Sequence, residues 1–341
     1  MTDNRGVKPM TVLVIGEALL DIFSGIHVPG SATSGEESTE TVSSPGGSPL
    51  NVAVGLARLG RKTQLLTRIG SDAFGEKIIA HCRQAGVTLM PGSVTGEPTS
   101  TATATLRGDG SANYDFRIVS SYPHPPQDSR SREKLLANAP AHLHFGSLGA
   151  HLKPGNTAVK EWLEFYRGSA SISYDPNVRL QVTGSPAKMR AEITSLLPLI
   201  HIFKASAEDL SALYGNRPAS ETARELLDAG VLLVVVTAGK DGLRLFTRQH
   251  EMTIPAAKAT VVDTVGAGDS LMSALIDGLG RISMLGAEDV KGLLRISKAA
   301  LVSLGSYCAT AAGITVTRRG ANPPTRKEIA AYSEKYSVGA L

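Results

Sequence analysis

Cysteine is scarce in this chain, whose 341 residues include only Cys82 and Cys308. Because these two form no CxxC pair, the sequence supports neither a disulfide framework nor a zinc site. The first ten residues, MTDNRGVKPM, lack an apolar stretch, and the run behind them is far shorter than the roughly 20 residues that a membrane span needs. We therefore expect a protein of the reducing cytoplasm with no membrane partner.

The sequence also lacks a strong excess of one charge. Lysine and arginine total 35 against 31 aspartates and glutamates, which gives a formal net charge of +4. No basic cluster accompanies this small excess, so the composition does not indicate a nucleic-acid partner. Apolar residues make up 42% of the chain, which is enough to build a core and excludes wholesale disorder.

Two common nucleotide-binding motifs are missing as well. No GxxxxGK(S/T) sequence occurs, so a P-loop NTPase is not supported. No GxGxxG lies between a strand and a helix, which argues against a dinucleotide-dependent oxidoreductase. His142, His144 and His201 lie in or beside predicted strands without a second ligand at metal spacing, so we interpret them as structural.

What the sequence does contain is a regular alternation of apolar β-branched runs and amphipathic segments. At about 150 residues per domain, its length fits two domains or one large α/β domain with an insertion. Predicted strands cover residues 11–16, 63–69, 142–145, 172–175, 200–204 and 231–237. Predicted helices cover residues 49–60, 76–84, 157–167, 186–197 and 220–229, with further helix from about residue 267. This spacing predicts a parallel sheet with helices on both faces and ligands at the carboxyl ends of its strands.

Residues 99–119 follow a different period, with alternating side chains and a turn at residues 108–110. The pattern predicts a β-hairpin with one dry face and one wet face. A polar stretch at residues 28–40 predicts a loop or a turn between short strands. A hairpin that interrupts strand–helix units indicates an accessory flap.

The sequence DTVGAGD, residues 263–269, opens directly into an amphipathic helix. Backbone N–H groups at a helix start lack partners, and the helix dipole is positive there. Gly266 and Gly268 let an anion approach the backbone, so the loop is suited to a phosphate. Asp269, in the first turn, is placed to accept a proton from a substrate hydroxyl. The alternative is an ordinary turn followed by a favourable first-turn acid.

Two further motifs lie near the first predicted strand and helix. The sequence GGSPLN, residues 46–51, starts a helix in which Asn51 interrupts apolar residues with a group suited to hydroxyl recognition. The sequence GEALLD, residues 16–21, places Asp21 just past a strand, where its carboxylate would face the crevice and bind sugar hydroxyls. The alternatives are a structural Gly-Gly pair and a solvated turn acid.

Together these motifs resemble the PfkB, or ribokinase-like, family of carbohydrate kinases. Residues 46–70 match the first family signature and residues 263–276 match the second, and the resemblance spans essentially the whole chain. It implies an α/β fold, a ribokinase-like three-layer α/β/α core with a mostly parallel sheet plus a small β-sheet lid. The implied organisation is a flexible leader at residues 1–10 and a kinase domain at residues 11–341, with lid strands inserted around 20–45 and 99–120.

The resemblance also implies roles for residues at the sugar side. Asp269 would be the catalytic base that deprotonates a sugar hydroxyl for in-line attack on the γ-phosphorus of ATP. The lid would close over the sugar and exclude water, which protects the activated phosphate from hydrolysis. The implied anion hole consists of the amides of Gly266, Ala267 and Gly268, and the implied sugar-binding positions are Asp21, Gly46, Gly47 and Asn51.

Three more segments resemble the nucleotide side of the family: YDPNVR at 174–179, KASAED at 204–209 and TAGKDG at 237–242. From the residues alone, the first and the last are also ordinary turns. The implied contacts to the nucleotide are Asn177, Arg179, Lys204, Ser206, Thr237, Gly239 and Gly242.

Two cations are implied beside ATP. In the segment at 204–209, Asp209 stands where the family has glutamate, so either Asp209 or its neighbour Glu208 would contact Mg²⁺ indirectly, since Mg²⁺ keeps much of its water. Many family members also bind a monovalent cation. Asp263 and the Val265 carbonyl match those positions for K⁺, with the loop around Gly320 closing the site.

The resulting hypothesis is an ATP-dependent sugar kinase that converts D-fructose to fructose 6-phosphate, because the N-terminal motifs resemble the fructokinase form. Alternatives within the class are ribokinase, 2-keto-3-deoxygluconate kinase and nucleoside kinase, and Phe116 and Arg117 are candidates for the part of the pocket that chooses. A different class is a sugar-binding sensor without turnover. Because lids of this family often pair, we also expect a homodimer.

Overall fold

The computed structural model describes residues 10–27, 39–106, 112–336 and 341. The predicted leader, apart from Met10, and the predicted turn at 108–110 lie outside the described residues, as does most of the polar stretch at 28–40.

The strands of the described residues form three sheets. In chain order they are β1 Thr11–Ile15, β2 Leu19–His27, β3 Thr39–Gly46, β4 Lys62–Leu66, β5 Ile69–Gly70, β6 Val87–Leu89, β7 Val94–Thr95, β8 Thr101–Leu106, β9 Ala112–Arg117, β10 His142–Gly146, β11 Ser171–Asp175, β12 Ile202–Ser206, β13 Leu233–Thr237, β14 Leu243–Phe246 and β15 Glu251–Ile254.

The α-helices lie mainly between the strands of the largest sheet and after its last strand. They are α1 Ser48–Arg58, α2 Ala73–Ala85, α3 Ser129–Ala137, α4 Gly155–Tyr166, α5 Leu180–Thr183, α6 Pro186–Leu196, α7 Ala207–Tyr214, α8 Ala219–Asp228, α9 Ala267–Arg281, α10 Lys298–Thr315 and α11 Arg326–Tyr336. None of the helices in the described residues combines the length and the apolar composition needed to cross a membrane.

The main sheet has the strand order β15-β14-β13-β12-β11-β10-β1-β4-β6. The pairs from β6 to β13 are parallel, and β14 and β15 continue the sheet as antiparallel strands. The β13–β14 hairpin turns at residues 239–241, in agreement with the turn expected there. Because the parallel strands end at one edge of the sheet, the loops that follow β1, β10, β11, β12 and β13 meet there.

Helices cover both faces of this sheet. The side chains of Val12 and Val14 pack with α1, α9 and α10, whereas those of Leu13 and Ile15 pack on the opposite face. Trp162 lies on that second face and is 3% exposed, which fits its apolar surroundings in α4. The predicted three-layer α/β/α core is therefore confirmed.

A second sheet, which we call the lid sheet, has the order β3-β2-β8-β9. Strand β2 pairs antiparallel with β3 and parallel with β8, and β8 pairs antiparallel with β9. The β8–β9 pair corresponds to the hairpin predicted for residues 99–119. Strand β2 begins four residues after β1 ends, and β3 ends two residues before α1 begins, so the base of the lid lies next to both elements.

Candidate active site

Helix α9 begins at the glycine loop predicted to bind a phosphate. Gly266 is its N-cap with a φ of 74°, a left-handed conformation that favours glycine. A side chain there would also collide, since a Cβ atom would lie 2.6 Å from the Cβ of Ala321. Glycine therefore lets the loop turn tightly against residue 321 and enter the helix.

The backbone amides at this helix start are mostly unengaged. Within the described residues, the N–H groups of Gly266, Gly268 and Asp269 have no hydrogen-bond acceptor, whereas that of Ala267 donates to the Thr264 carbonyl at 3.2 Å. The structure thus differs from the expectation for Ala267, because the tight turn uses its amide. Three free donors at the positive end of a 15-residue helix remain a suitable place for an anion.

The carboxylate of Asp269 is held by helix α1. Ser48 Oγ donates to Asp269 Oδ1 at 2.6 Å, and Asn51 Nδ2 donates to Asp269 Oδ2 at 2.8 Å. The two motifs expected to cooperate, 46–51 and 263–269, therefore meet directly although 218 residues separate Asn51 from Asp269.

A buried cation lies beneath the glycine loop. Lys204 Nζ is 3.0 Å from the position that a Cβ of Gly268 would take, and it forms a 2.7 Å ion pair with Asp175 Oδ2. Burial would lower the pKa of Lys204, but the carboxylates of Asp175, Asp209 and Asp269 together raise it, so the ammonium is charged. Burial raises the pKa of Asp175 to about 6 despite the attraction of Lys204.

The base of the lid contributes Asp21 to the same region. A Cβ atom on Gly46 would lie 1.9 Å from Asp21 Oδ2, so only glycine leaves room for this carboxylate. Gly47 follows with a φ of 106° and starts α1. Burial raises the pKa of Asp21 to about 6. Segment 46–51 therefore touches Asp21 at one end and Asp269 at the other.

Phe116 and Arg117 are not brought together. Asp21 registers with Ala102, and Ala102 registers with Phe116, so Asp21 and Phe116 project from one face of the lid sheet. Arg117, as the next residue along β9, projects from the other face, and its side chain is 82% exposed. Phe116 therefore shares the face of Asp21 and Arg117 does not, and the part of either residue in choosing the sugar stays a prediction.

Asn177 and Arg179 follow β11. The N–H of Asn177 donates to Asp175 Oδ1 at 3.1 Å, and its Nδ2 donates to Ser147 Oγ at 3.1 Å. Arg179 is exposed and donates to the Val178 carbonyl. Asn177 thus lies beside the Asp175–Lys204 pair, whereas Arg179 lies at the surface, and their contacts with a nucleotide stay predictions.

Ser206 and Asp209 form the N-terminal capping box of α7, in which each side chain accepts the other residue's backbone N–H. Asp209 Oδ1 also accepts the N–H of Val178 at 2.8 Å. Both oxygens of this buried carboxylate therefore hold backbone donors, and its contact with Mg²⁺ stays a prediction. Glu208, in the same turn, is exposed and fits an indirect contact through water.

The β13–β14 loop holds the remaining nucleotide candidates. Thr237 ends β13 in register with Ser206, and Gly239 is exposed. Gly242 is buried, with a Cβ position 2.1 Å from the carbonyl oxygen of Ile254, which gives it a packing role against β15. Their nucleotide contacts stay predictions.

Asp263 connects two loops. Its Oδ1 accepts the N–H of Val265 at 3.0 Å, and its Oδ2 accepts the N–H of Gly320 at 2.8 Å. These backbone hydrogen bonds lower the pKa of Asp263, so the carboxylate is ionised. The Asp263 carboxylate thus joins the 263–265 loop to the loop at Gly320, which fits the predicted K⁺ position. Within the described residues, no cluster of three or more His, Cys, Asp or Glu side chains forms a metal site.

A cavity of about 380 Å³ opens beside the same loop. Its lining combines aliphatic, aromatic and basic side chains from the β15–α9 loop, α10 and α11. Among them are Lys258, Val262, Gly313, Thr317, Tyr332 and Tyr336.

Two residues in the site region were missed as individual candidates. Ser48 lies within the GGSPLN motif, in which the sequence gives this serine no separate role. Glu17 is buried past the end of β1, accepts the N–H of Gly149 at 3.0 Å, and has its pKa raised to about 7 by burial. The sequence offers a signal for Glu17 only, since an acid directly after a buried strand lies at the carboxyl edge of the sheet.

The free amides at the start of α9 suit a phosphoryl group, and the adjacent carboxylate of Asp269 suits the hydroxyl that accepts it. Together with the buried Lys204, at the open edge of a doubly wound sheet with a β lid, they are typical of a small-molecule phosphotransferase. The chain belongs to the pfkB family of carbohydrate kinases, whose family model matches residues 10–328.

Known proteins resemble the chain over nearly its full length. Fructokinase-1 from Zea mays is 30% identical, with 95% of this chain and 98% of that protein covered. The structure of a fructokinase with bound ATP from Xylella fastidiosa superposes with a TM-score of 0.78 at 21% identity, covering 97% of this chain and 100% of that one. A fructokinase double mutant from Vibrio cholerae O395, with fructose, ADP and a potassium ion bound, gives a TM-score of 0.72 at 22% identity, covering 95% and 98%.

Proposed function

We propose that this sugar kinase transfers the γ-phosphoryl group of ATP to a hydroxyl of D-fructose, forming fructose 6-phosphate. The observation that carries the proposal is the double contact of segment 46–51, which packs on Asp21 at the base of the lid and holds Asp269 at the start of α9. A sugar bound by Asp21 would then have its acceptor hydroxyl near Asp269, with Asn51 beside that carboxylate.

In the proposed reaction, Asp269 takes the proton of the acceptor hydroxyl as its oxygen attacks the γ-phosphorus. The new bond joins the sugar oxygen to phosphorus, and the bond to the leaving ADP oxygen breaks. The amides of Gly266 and Gly268 face the negative charge on the transferring group, and the Lys204 ammonium lies below them. Preorganised donors of this kind make the largest single contribution to the rate enhancement of many enzymes.

The nucleotide is assigned to the open edge beyond α9. The cavity beside residues 258–262 has apolar walls and two tyrosines, Tyr332 and Tyr336, which suit a purine base. Asn177 and Thr237 would then lie on the phosphate side. Mg²⁺ would bind the ATP phosphates and contact Glu208 through water. K⁺ would bind near Asp263 and the Val265 carbonyl, where its charge would partly neutralise the carboxylate of Asp263.

The resemblance of the chain to fructokinases favours fructose as its substrate. A coupled assay of ADP release tests this with fructose, ribose, 2-keto-3-deoxygluconate, glucose and adenosine, each with and without K⁺. We expect the largest kcat/KM with fructose, and ³¹P NMR of the product then identifies the phosphorylated carbon. Preference for ribose or 2-keto-3-deoxygluconate would favour those alternatives. Sugar binding without ADP release from any substrate would favour the sensor.

The lid sheet is the proposed contact between two copies of the chain. Phe23 and Val42 are paired in register on β2 and β3 and are 40% and 45% exposed. By strand alternation they share the face of Asp21, so in this proposal the second copy covers the lid sheet from the side of the sugar. Sedimentation equilibrium at micromolar concentration distinguishes a dimer from a monomer. A cytoplasmic location stays a prediction from the sequence.

Asp21→Asn should weaken sugar binding. An ionised carboxylate accepts stronger hydrogen bonds from sugar hydroxyls than a protonated carboxyl or an amide does, so KM for the sugar should rise about 10- to 100-fold. Because burial raises the pKa of Asp21 from 3.8 to about 6, kcat/KM of the wild type should fall as the pH decreases through about 6. Asp115→Asn, on the exposed part of the same sheet, is the control. An unchanged KM in Asp21→Asn would remove Asp21 from the sugar site.

A further inference from the structure

The hydroxyl of Ser48 lies 2.6 Å from Asp269 Oδ1, at the beginning of α1. We propose that Ser48 is a positioning residue, which fixes the orientation of the Asp269 carboxylate so that a free lone pair points at the acceptor hydroxyl of the sugar. The inference rests on the proposed function, since it needs Asp269 to be the base.

The start of α1 explains why this hydroxyl reaches Asp269. Ser48 is the first residue of the helix, after the N-cap Gly47, and Asn51 follows three residues later. Residues three apart lie on the same helix face, so both side chains point at the same neighbour, the first turn of α9. In the described part of the chain, these are the two side chains that donate to the Asp269 carboxylate.

Two donors on one rigid helix, each bonded to a different oxygen, prevent the carboxylate from rotating about its last side-chain torsion. A carboxylate offers about four lone-pair sites, so two donors still leave room for a substrate hydroxyl. Charge-assisted hydrogen bonds of 2.6 to 2.8 Å are also among the stronger ones in proteins. The carboxylate is thus oriented before the sugar arrives.

Ser48 and Asn51 differ in what remains for the sugar. Asn51 uses one of its two N–H donors on Asp269 and keeps an amide oxygen and a second N–H. Ser48 has a single proton, which goes to Asp269, and its side chain is buried at 8% exposure. Ser48 therefore serves the carboxylate, whereas Asn51 is able to serve both the carboxylate and the sugar.

The test compares Ser48→Ala with Ser48→Thr, which keeps the hydroxyl. For Ser48→Ala we expect kcat to fall about 10- to 100-fold, as for loss of a hydrogen bond to a charged group, with KM for the sugar changed less than about threefold. Ser48→Thr should recover most of kcat. Ser297→Ala, which removes the exposed N-cap hydroxyl of α10, controls for the weakening of a helix start and should lower Tm without lowering kcat.

A double-mutant cycle separates positioning from a general structural effect. If Ser48 acts through Asp269, adding Ser48→Ala to Asp269→Asn should lower kcat no further, whereas additive losses would overturn the proposal. A raised KM with unchanged kcat in Ser48→Ala would overturn it in favour of a sugar contact, and unchanged kinetics would overturn it outright. If the wild type releases no ADP with any sugar, the proposed function itself fails, and the role of Ser48 fails with it.

Discussion

Asp269→Asn should reduce kcat about 100- to 10,000-fold, the usual contribution of a general base, while sugar binding stays within a few fold of the wild type. Asparagine has the same shape, and its amide oxygen still accepts one of the hydrogen bonds from Ser48 and Asn51. What it lacks is the ability to take the proton of the acceptor hydroxyl. Steady-state kinetics gives kcat, and isothermal titration calorimetry gives the sugar affinity.

The matched control for this substitution is Asp128→Asn. Asp128 is also an acid at a helix start, the N-cap of α3, but it is exposed and its side chain accepts the N–H of Ser131. It should leave kcat unchanged. If Asp269→Asn retained more than about a tenth of the wild-type kcat, proton transfer to this carboxylate would not limit the reaction, and another base would have to be sought.

The alternation of strands and helices was the part of the fold that the sequence predicted best. Parallel strands are buried on both faces, so they appear as continuous apolar runs such as residues 231–237. The boundaries are less well defined: α2 begins at Ala73 rather than at residue 76, because Asp72 caps it by accepting the N–H of Gly75. Capping contacts decide where helices begin, and apolar periodicity does not record them.

The segment that starts helix α7 fits two interpretations, a contact to phosphate and magnesium and a helix cap. By its resemblance to the family, the segment from Lys204 to Asp209 is expected to contact phosphate and magnesium. Its Ser206-x-x-Asp209 spacing is also the pattern of a capping box, which the structure contains. A search for helix starts would have found α7 from the sequence. Strand alternation would likewise have separated Phe116 from Arg117.

Other contacts leave no trace in a single sequence. Ser48 and Asp269 are 221 residues apart, and Lys204 and Asp175 are 29 apart on neighbouring strands. Periodicity indicates which face a residue occupies, but it does not indicate which residue of another element lies opposite. The resemblance to a family identified the segments that meet, and the coordinates identify the atoms that touch.

Lys204→Met should be damaging in two separable ways. It removes the cation below the glycine loop, for which we expect a fall in kcat of about 100- to 1,000-fold, comparable to losing one donor of an oxyanion hole. It also leaves the buried carboxylate of Asp175 without its cation, although the N–H of Asn177 still donates to it, which costs about 3–5 kcal/mol of unfolding free energy. Urea denaturation measures the second effect, and Lys134→Met, an exposed lysine on α3, controls for loss of charge.

The double variant Lys204→Met/Asp175→Asn separates stability from catalysis. Without Lys204, the pKa of Asp175 should rise above its value of about 6, and the unfolded chain releases this proton near 3.8. The folded state then binds more protons, so the unfolding free energy of Lys204→Met should fall as the pH rises from about 4 to beyond 6. Adding Asp175→Asn removes this pH dependence and should restore most of the stability, because replacing a whole buried pair is often nearly neutral. The kcat should stay low, since the cation near Gly268 is still missing; recovery of kcat together with stability would mean that Lys204 only compensates Asp175.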